Sequence, residues 1–293
     1  MLRHLEEAIG THDGSLTAIV IHHSPADRKK VLSIRQMPCY IVAAVLGRQA
    51  ATMPVKEEFD HNVLLAHLPL NEKHALCTWL QPVALRTKEE IIGMGSPLRH
   101  VYFPLTAALS LINMQESGQT VEVAVVGKEG CTCFHVLDGL STSPSRVVVQ
   151  IGGSAFRMSS EAIDDIIKGL PVFARIVRRY SAVLFRHAVI SVGCSQFHSV
   201  EQRLARWLLA HNNRTGATTF PFTHEYLAEQ LGSQRATVTQ GLADLQSKGL
   251  LTSGYGVIEL LNIPKLQIVA CECFGLSTLA IDEYIADIEM YRR

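Results

Sequence analysis

No apolar run in this 293-residue chain approaches the ~20 residues that a membrane-spanning helix requires, so no membrane is expected among its partners. The opening residues, MLRHLEEAIG, lack the basic and then apolar segments of a secretory leader. Charge of one sign is lacking too: 27 Lys and Arg balance 27 Asp and Glu. With a mean hydropathy of +0.17, the chain reads as a globular protein with ample core and room for two domains. Enzymatic signatures are missing. There is no GxSxG elbow, no phosphate-binding loop and no Rossmann glycine pattern. The His-x-His, Glu and later His of a metal-dependent cupin are missing as well, and His22-His23 lies outside the β-rich region. No catalytic residue is assigned and no enzyme is expected. Cysteine comes as an odd count of seven, and the pairs Cys131/Cys133 and Cys271/Cys273 are too close in sequence for easy bridging. Reduced thiols in a cytoplasmic protein follow.

The most readable stretch runs from Phe222 to Leu261. Thr223 is placed to cap a first helix, with Glu225 in its first turn near the positive end of the helix dipole. Tyr226, Leu227 and Leu231 form its apolar stripe. Gly232 suits the left-handed residue that ends it. Ser233 then caps a second helix running to about Lys248, with Val238, Leu242 and Leu245 on its buried face. Gly249 ends that helix. Leu250 and Leu251, a Ser253-Gly254-Tyr255-Gly256 turn and Val257 to Leu261 make a β-hairpin. Helix, tight turn, helix and hairpin make a winged helix-turn-helix, which lays its second helix in the DNA major groove.

That second helix exposes Gln234, Arg235, Ala236, Thr237, Thr239 and Gln240. Arg grips guanine O6 and N7 with two bonds, Gln pairs with adenine, and Thr or Ala methyls meet the thymine methyl. Main-chain N–H groups at the helix starts, near Thr223 and Ser233, suit phosphates. Residues 198–293 carry eight basic against ten acidic side chains. Modest non-specific affinity and a marked salt dependence are expected.

Upstream, residues 81–158 alternate short β-rich runs (PVALR, EEII, HVYFPL, ALSLINM, TVEVAVV, RVVVQI, AFRM) with turn residues. That spacing means a sandwich, jelly roll or barrel. Two short helices precede it between His61 and Leu80, separated at Pro69, with Asn71 a candidate cap. After Met158 the period becomes helical. Ser160 caps a short helix ending at Gly169, and Pro171 opens a long one. On it Phe173, Ile176, Tyr180, Val183, His187, Ile190 and Cys194 recur at alternating steps of three and four, a heptad seam expected to pair with a second copy. His187, paired across such a dimer, would titrate near neutrality. Ser199-Val-Glu-Gln202 is a capping box, and Thr215-Gly216 ends the helix it starts. Residues 1–58 are the least readable, with LTAIVIHH a strand, YIVAAVLGRQAA a short helix and Met53 an alternative start.

The order β-sandwich, long helix, winged helix resembles the Crp/Fnr family of bacterial transcription regulators. HVYFPLTAALSLI, VEVAVVGKEG and SPSRVVVQIGGSAFRM look like that family's sensor jelly roll. HSVEQRLARWLL and LAEQLGSQRATVTQGLADLQSKGLL look like its DNA-binding domain, and CECFGLSTLAIDEYI like the tail of one subgroup. The resemblance implies an α+β chain in four parts: an N-terminal extension (1–58), a cyclic-nucleotide-binding-like jelly-roll sensor (59–168), a dimerisation helix (169–197) and the winged helix (198–293). It implies a cytoplasmic homodimer on a near-palindromic double-stranded operator, with RNA polymerase a further partner.

Position by position, Arg235 matches the family's guanine-reading Arg. Ala236 falls where readers of a TGTGA-type half-site carry Glu, and Gln240 where they carry a second Arg, so a different half-site is implied. Cyclic-nucleotide binders use a Gly-Glu pair and, about ten residues on, an Arg followed by Ser or Thr. Here Glu129 follows Lys128, and Arg146 is followed by Val147. Glu129 and Arg146 are the candidate effector-binding residues, facing a small anion or pairing with each other. The N-terminal cysteine cluster of oxygen-sensing members is reduced to Cys39 and Cys77. Possible haem ligands, His100, His135 and Cys77, do not stand out. Cys131, Cys133 and His135 have zinc-ligand chemistry but no common finger spacing. No cofactor is assigned: cyclic nucleotide, haem and metal are each disfavoured. The competing reading is a ligand- or metal-binding sandwich whose winged helix serves protein interaction.

Overall fold

The computed structural model describes residues 9–12, 15–21, 30–32, 57–132 and 139–292. Near the start, β1 (Ile9–His12), β2 (Ser15–Ile21) and β3 (Lys30–Leu32) form a small antiparallel sheet in that order. The segment YIVAAVLGRQAA, Cys39, Met53, Cys133 and His135 lie outside the described residues.

A 3-10 turn over Glu57–His61 leads to α1 (Val63–Ala66) and α2 (Leu70–Cys77). The caps differ from expectation. Asn62 caps α1, accepting from Leu65 N–H at 3.2 Å and donating to the carbonyls of Pro104 and Gly130 at 2.8 and 2.9 Å. Asn71 caps nothing, because α2 already starts at Leu70 after Pro69, whose fixed φ suits a helix entry.

The expected strands then appear: β4 (Gln81–Leu85), β5 (Glu90–Ile92), β6 (His100–Pro104), β7 (Ala108–Met114), β8 (Thr120–Val126), β9 (Arg146–Ile151) and β10 (Gly153–Ser159). They form two antiparallel sheets, β4-β10-β6 and β5-β9-β7-β8. Alternating residues turn inward, as the two-residue strand period requires. Leu85, Phe103 and Phe156 from one sheet meet Leu109, Val126 and Val149 from the other in a single core.

Ser160 lies within a 3-10 turn that Ser159 caps, accepting from Glu161 N–H. The Ser160 hydroxyl instead donates to the Leu98 carbonyl. Helix α3 (Ile163–Gly169) then gives way to α4 (Pro171–Phe197), with Pro171 in its first turn.

The heptad positions of α4 do not form an open seam. Phe173, Ile176, Tyr180, Val183, His187 and Cys194 are all buried within this one chain. Their stripe is covered on one side by the sandwich core and on the other by a C-terminal helix, α9 (Cys273–Ile288), whose Tyr284 ring lies 5.5 Å from that of Tyr180. Arg186 pairs with Glu283 at 2.5 Å, and Arg179 with Asp287. A helix this long has room for two apolar stripes, and the periodicity alone does not say which faces inward. The second stripe is exposed: Phe185 (72%), Val189 (55%) and Val192 (66%).

Helix α5 (Val200–Thr215) opens with the expected capping box at Ser199 and Gln202 and closes on Gly216 at φ 71°. Its Trp207, with Phe220 and Phe222, nucleates a second core beneath the winged helix. Short β11 (Thr219–Phe220) joins the wing sheet.

Candidate nucleic-acid interface and its seat on the sandwich

Helix α6 (His224–Leu231) is capped by Thr223, whose side chain accepts from Tyr226 N–H at 3.1 Å. Gly232 makes the turn at φ 56°, a conformation that costs a side-chain-bearing residue roughly 1–2 kcal/mol. Helix α7 (Arg235–Ser247) follows. Ser233 does not cap it. Its hydroxyl turns back toward the Leu231 carbonyl and lies 3.4 Å from Arg203 Nη1, and Gln234 occupies the cap position without a side-chain bond. Val238, Leu242 and Leu245 are buried as their spacing requires.

The structure brings Gln234, Arg235, Ala236, Thr237, Thr239 and Gln240 together on the exposed side of α7's first two turns. Arg235 Nε lies 3.6 Å from Glu225 Oε2, with both side chains mostly exposed. Gln240 donates to Asp244 at 2.8 Å. The wing is β12 (Leu251–Gly254) and β13 (Val257–Leu260). Its Tyr255-Gly256 turn has φ 52° and 75°, the two-residue geometry matched to strand twist.

One residue missed from sequence ties the assembly together. His224 bonds Thr239 Oγ1 through Nδ1 at 3.0 Å and Ser253 Oγ through Nε2 at 2.9 Å, joining both helices to the wing. Nothing in the spacing of His224 distinguishes it from an ordinary first-turn residue.

The sandwich residues fall elsewhere. Glu129 is buried; it accepts from Gly127 N–H at 3.0 Å and pairs with Arg214 of α5 at 3.1 Å. Arg146 pairs with Glu90 on the exposed sheet edge at 2.6 Å. Glu129 and Arg146 therefore do not meet; each already has a counter-charge. Cys131 is buried in the sandwich core.

A polar seat holds the winged helix against its own sandwich. Trp207 Nε1 donates to Glu122 Oε1 at 2.9 Å. Ser110 and Gln150 donate to the other carboxylate oxygen, each at 2.8 Å. His211 donates from Nδ1 to the Trp207 carbonyl at 2.7 Å and touches Gln150 through Nε2. Burial raises the Glu122 pKa above its ordinary value, against the pull of these bonds and of Arg206 and Arg214. Burial, then the positive charge of Arg214, lowers His187 to about 4. Burial lowers His211 to about 3, with Arg214 and Arg206 pushing the same way. Thr120 donates to the Glu229 carbonyl at 3.3 Å. A Cβ on Gly232 would sit 3.2 Å from Val121. The turn of the helix-turn-helix thus rests on the β7–β8 hairpin.

A β-sandwich joined through one long helix to a winged helix with an exposed helix face is an architecture suited to laying that helix in the DNA major groove. Residues 202–268 match the Crp-like helix-turn-helix domain. Transcriptional regulator SdrP of Thermus thermophilus is 40% identical over 62 residues, 21% of this chain and 30% of that protein; the chain thus spans about a third of that relative. Global nitrogen regulator of a Nostoc species is 24% identical over 169 residues, covering 54% and 75% of the two chains. The structure of FixK2 from Bradyrhizobium japonicum superposes with a TM-score of 0.55 at 21% identity, over 66% of this chain and 98% of that one. A Crp/Fnr-family regulator from Eubacterium rectale gives 0.59 at 17% identity, over 72% and 98%. The chain shares the overall fold of these Crp/Fnr-family structures, and residues 202–268 form a Crp-like helix-turn-helix domain.

Proposed function

We propose that the protein acts as a cytoplasmic homodimer that reads a near-palindromic operator through α7, under control of a signal received at the sandwich. The observation that carries this reading is the exposed side-chain row Gln234, Arg235, Ala236, Thr237, Thr239 and Gln240 on a helix braced by the wing. Thr223 and Ser233 flank it at the two helix starts, near main-chain donors for phosphate. The exposed Phe185, Val189 and Val192 stripe supports dimerisation, because an apolar row of that size on a long helix ordinarily marks an interaction face. Two-fold symmetry would set two copies of α7 about one helical turn apart. RNA polymerase is the further partner such a regulator would engage. No enzymatic reaction is assigned.

Control follows from the seat. Whatever moves Glu122, Gln150 or the Glu129–Arg214 pair moves α5 and hence the reading helix. A cavity of about 180 Å³ beside that ion pair, walled by Arg206, Phe274 and Ile281, is the entry we favour for a small effector, with Glu129 at its edge. Arg146, held by Glu90, is left to the sheet edge.

Selection of binding sites from a random duplex library tests the function. Enrichment of an inverted repeat with half-sites about 10 base pairs apart is expected. Enrichment of no motif would favour the winged helix as a protein-interaction module instead.

A further inference from the structure

Four side chains from distant parts of the sequence converge where α4 ends. Cys194 and His198 lie one turn apart, at the last turn of α4 and its cap. Cys271 and Cys273 lie between α8 (Ile263–Val269) and the start of α9. One ligand atom from each lies within 4.8 Å of the other three. Cys194 Sγ is 3.6 Å from Cys271 Sγ, and Cys273 Sγ is 3.7 Å from His198 Nδ1. All three cysteines are buried and His198 is half-buried.

We propose that these four residues bind a single tetrahedral zinc-class cation, with Cys194, Cys271 and Cys273 as thiolates and His198 as a neutral ligand through Nδ1. Bonds of about 2.3 Å to sulfur and 2.0–2.1 Å to nitrogen place tetrahedral donor atoms roughly 3.5–3.8 Å apart, the spacing seen for both measured pairs. A polynuclear cluster needs its ligands spread wider than one ion does. Three thiolates and one imidazole are a closed structural zinc set.

The surroundings fit the same ion. His198 Nε2 lies 3.1 Å from Glu272 Oε2. A carboxylate accepting that N–H fixes the tautomer and leaves the Nδ1 lone pair for metal, the usual support for a ligating histidine. Three thiolates on a dication leave one net negative charge. Arg203 and Arg206, both electrostatically coupled to Cys194, offset it. The ion would close a loop between positions 194 and 271 that contains the whole winged helix, and so fasten that domain to the foot of the long helix. Metal binding of this kind is folding free energy for the segment it closes.

The test needs no DNA, so its failure is separate from failure of the operator reading. Protein purified without chelator, under reducing conditions and without oxygen, is analysed for metal and then exchanged with cobalt(II). One equivalent of zinc per chain is expected, with a thiolate-to-cobalt charge-transfer band and the intense visible bands of tetrahedral cobalt. Cys271→Ser should lose the stoichiometric ion and Cys77→Ser should keep it. Glu272→Gln should weaken binding about 10–100-fold while leaving the cobalt spectrum tetrahedral. Three results would overturn the proposal: wild-type protein that neither holds zinc nor develops the cobalt bands; iron with acid-labile sulfide; or a Cys194–Cys271 disulfide, seen as two thiols that resist alkylation in the unfolded, unreduced chain.

Discussion

The indole N–H of Trp207 donates to Glu122 across the boundary between winged helix and sandwich, at 2.9 Å. Desolvation holds that carboxyl above its ordinary pKa in the docked state, so docking binds a proton more tightly than the undocked state does. The contribution of Glu122 to docking is therefore complete below the ordinary carboxylate value of 4.5 and declines as pH rises toward the raised value. With Trp79→Phe, Trp207 becomes the single tryptophan reporter of the chain's two. Its emission should follow pH in that background and become flat over the same range when Glu122→Gln is added. An unchanged titration in the double variant would assign the proton elsewhere.

His187 and His211 work with the opposite sign. Both are held neutral by burial and by the charge of Arg214, at about 4 and about 3. A depressed folded pKa gives stability that is full above the ordinary value of 6.5 and is lost as pH falls through the folded value. His187 Nε2 meets the Ser277 carbonyl at 3.1 Å, so Gln preserves a donor there without the titration. Calorimetric melting between neutral pH and pH ~5 should fall more steeply for wild type than for His187→Gln. Equal slopes would show that His187 is not protonated on unfolding in this range.

Gly130 sits where a Cβ would meet the Tyr180 ring at 2.1–2.4 Å. That ring is buried between the sandwich and α9 and has no free direction in which to retreat. Gly130→Ala should cost about 1–3 kcal/mol, as overpacking does, read as a lower denaturant midpoint with an unchanged slope. A neutral result would mean that the loop before Cys131 shifts freely.

How much of this could be read from the chain depended on the range over which each signal acts. The strand segments between 81 and 158, the capping box at Ser199 and Gln202, the Gly232 turn and the buried face of α7 are local patterns, and the structure contains them. The inward face of α4 is a tertiary outcome. Phe173 to Cys194 and Phe185 to Val192 are both apolar at helical spacing, and only the position of the sandwich and α9 selects between them. The partners of Glu129 and Arg146 are likewise set by α5 and β5, far away in sequence. Ser233 and Asn71 had capping chemistry but neighbouring residues took the cap positions. Cys271 and Cys273 read only as reduced thiols, because Cys194 and His198 come to them only after a whole domain has folded between.

The two stripes of α4 can be separated experimentally. Phe185→Asp or Val192→Asp places a charge twice across any two-fold interface while touching no buried core. Each should raise the dimer dissociation constant by on the order of 10²-fold, about 2.7 kcal/mol, with the melting temperature of the monomer nearly unchanged. Val183→Ala, on the inward stripe, should lower stability and leave self-association intact. Sedimentation over a concentration series distinguishes them; the reverse pattern would restore the heptad seam as the dimer face.

Arg235 is the side chain on which the operator reading turns. It begins α7, stands exposed, and meets a similarly exposed Glu225 at 3.6 Å. An exposed pair of that kind is worth ~0–1 kcal/mol and yields readily to a base edge or a phosphate. Arg235→Ala should weaken binding to the selected operator by ~1–3 kcal/mol. The nature of the loss then identifies the contact. If Arg235 reads guanine, the preference relaxes at one base pair in each half-site and the salt slope barely moves. If it holds phosphate, affinity falls evenly on all sequences and the slope drops by about 1 per contact. Arg235→Lys separates the cases again, because a lysine keeps the charge and loses the two-pronged grip on O6 and N7. Anisotropy titrations at several salt concentrations, on the selected site and on a variant changed at the relaxed position, measure both quantities. Unchanged affinity for Arg235→Ala on every duplex would move the reading face off this helix start.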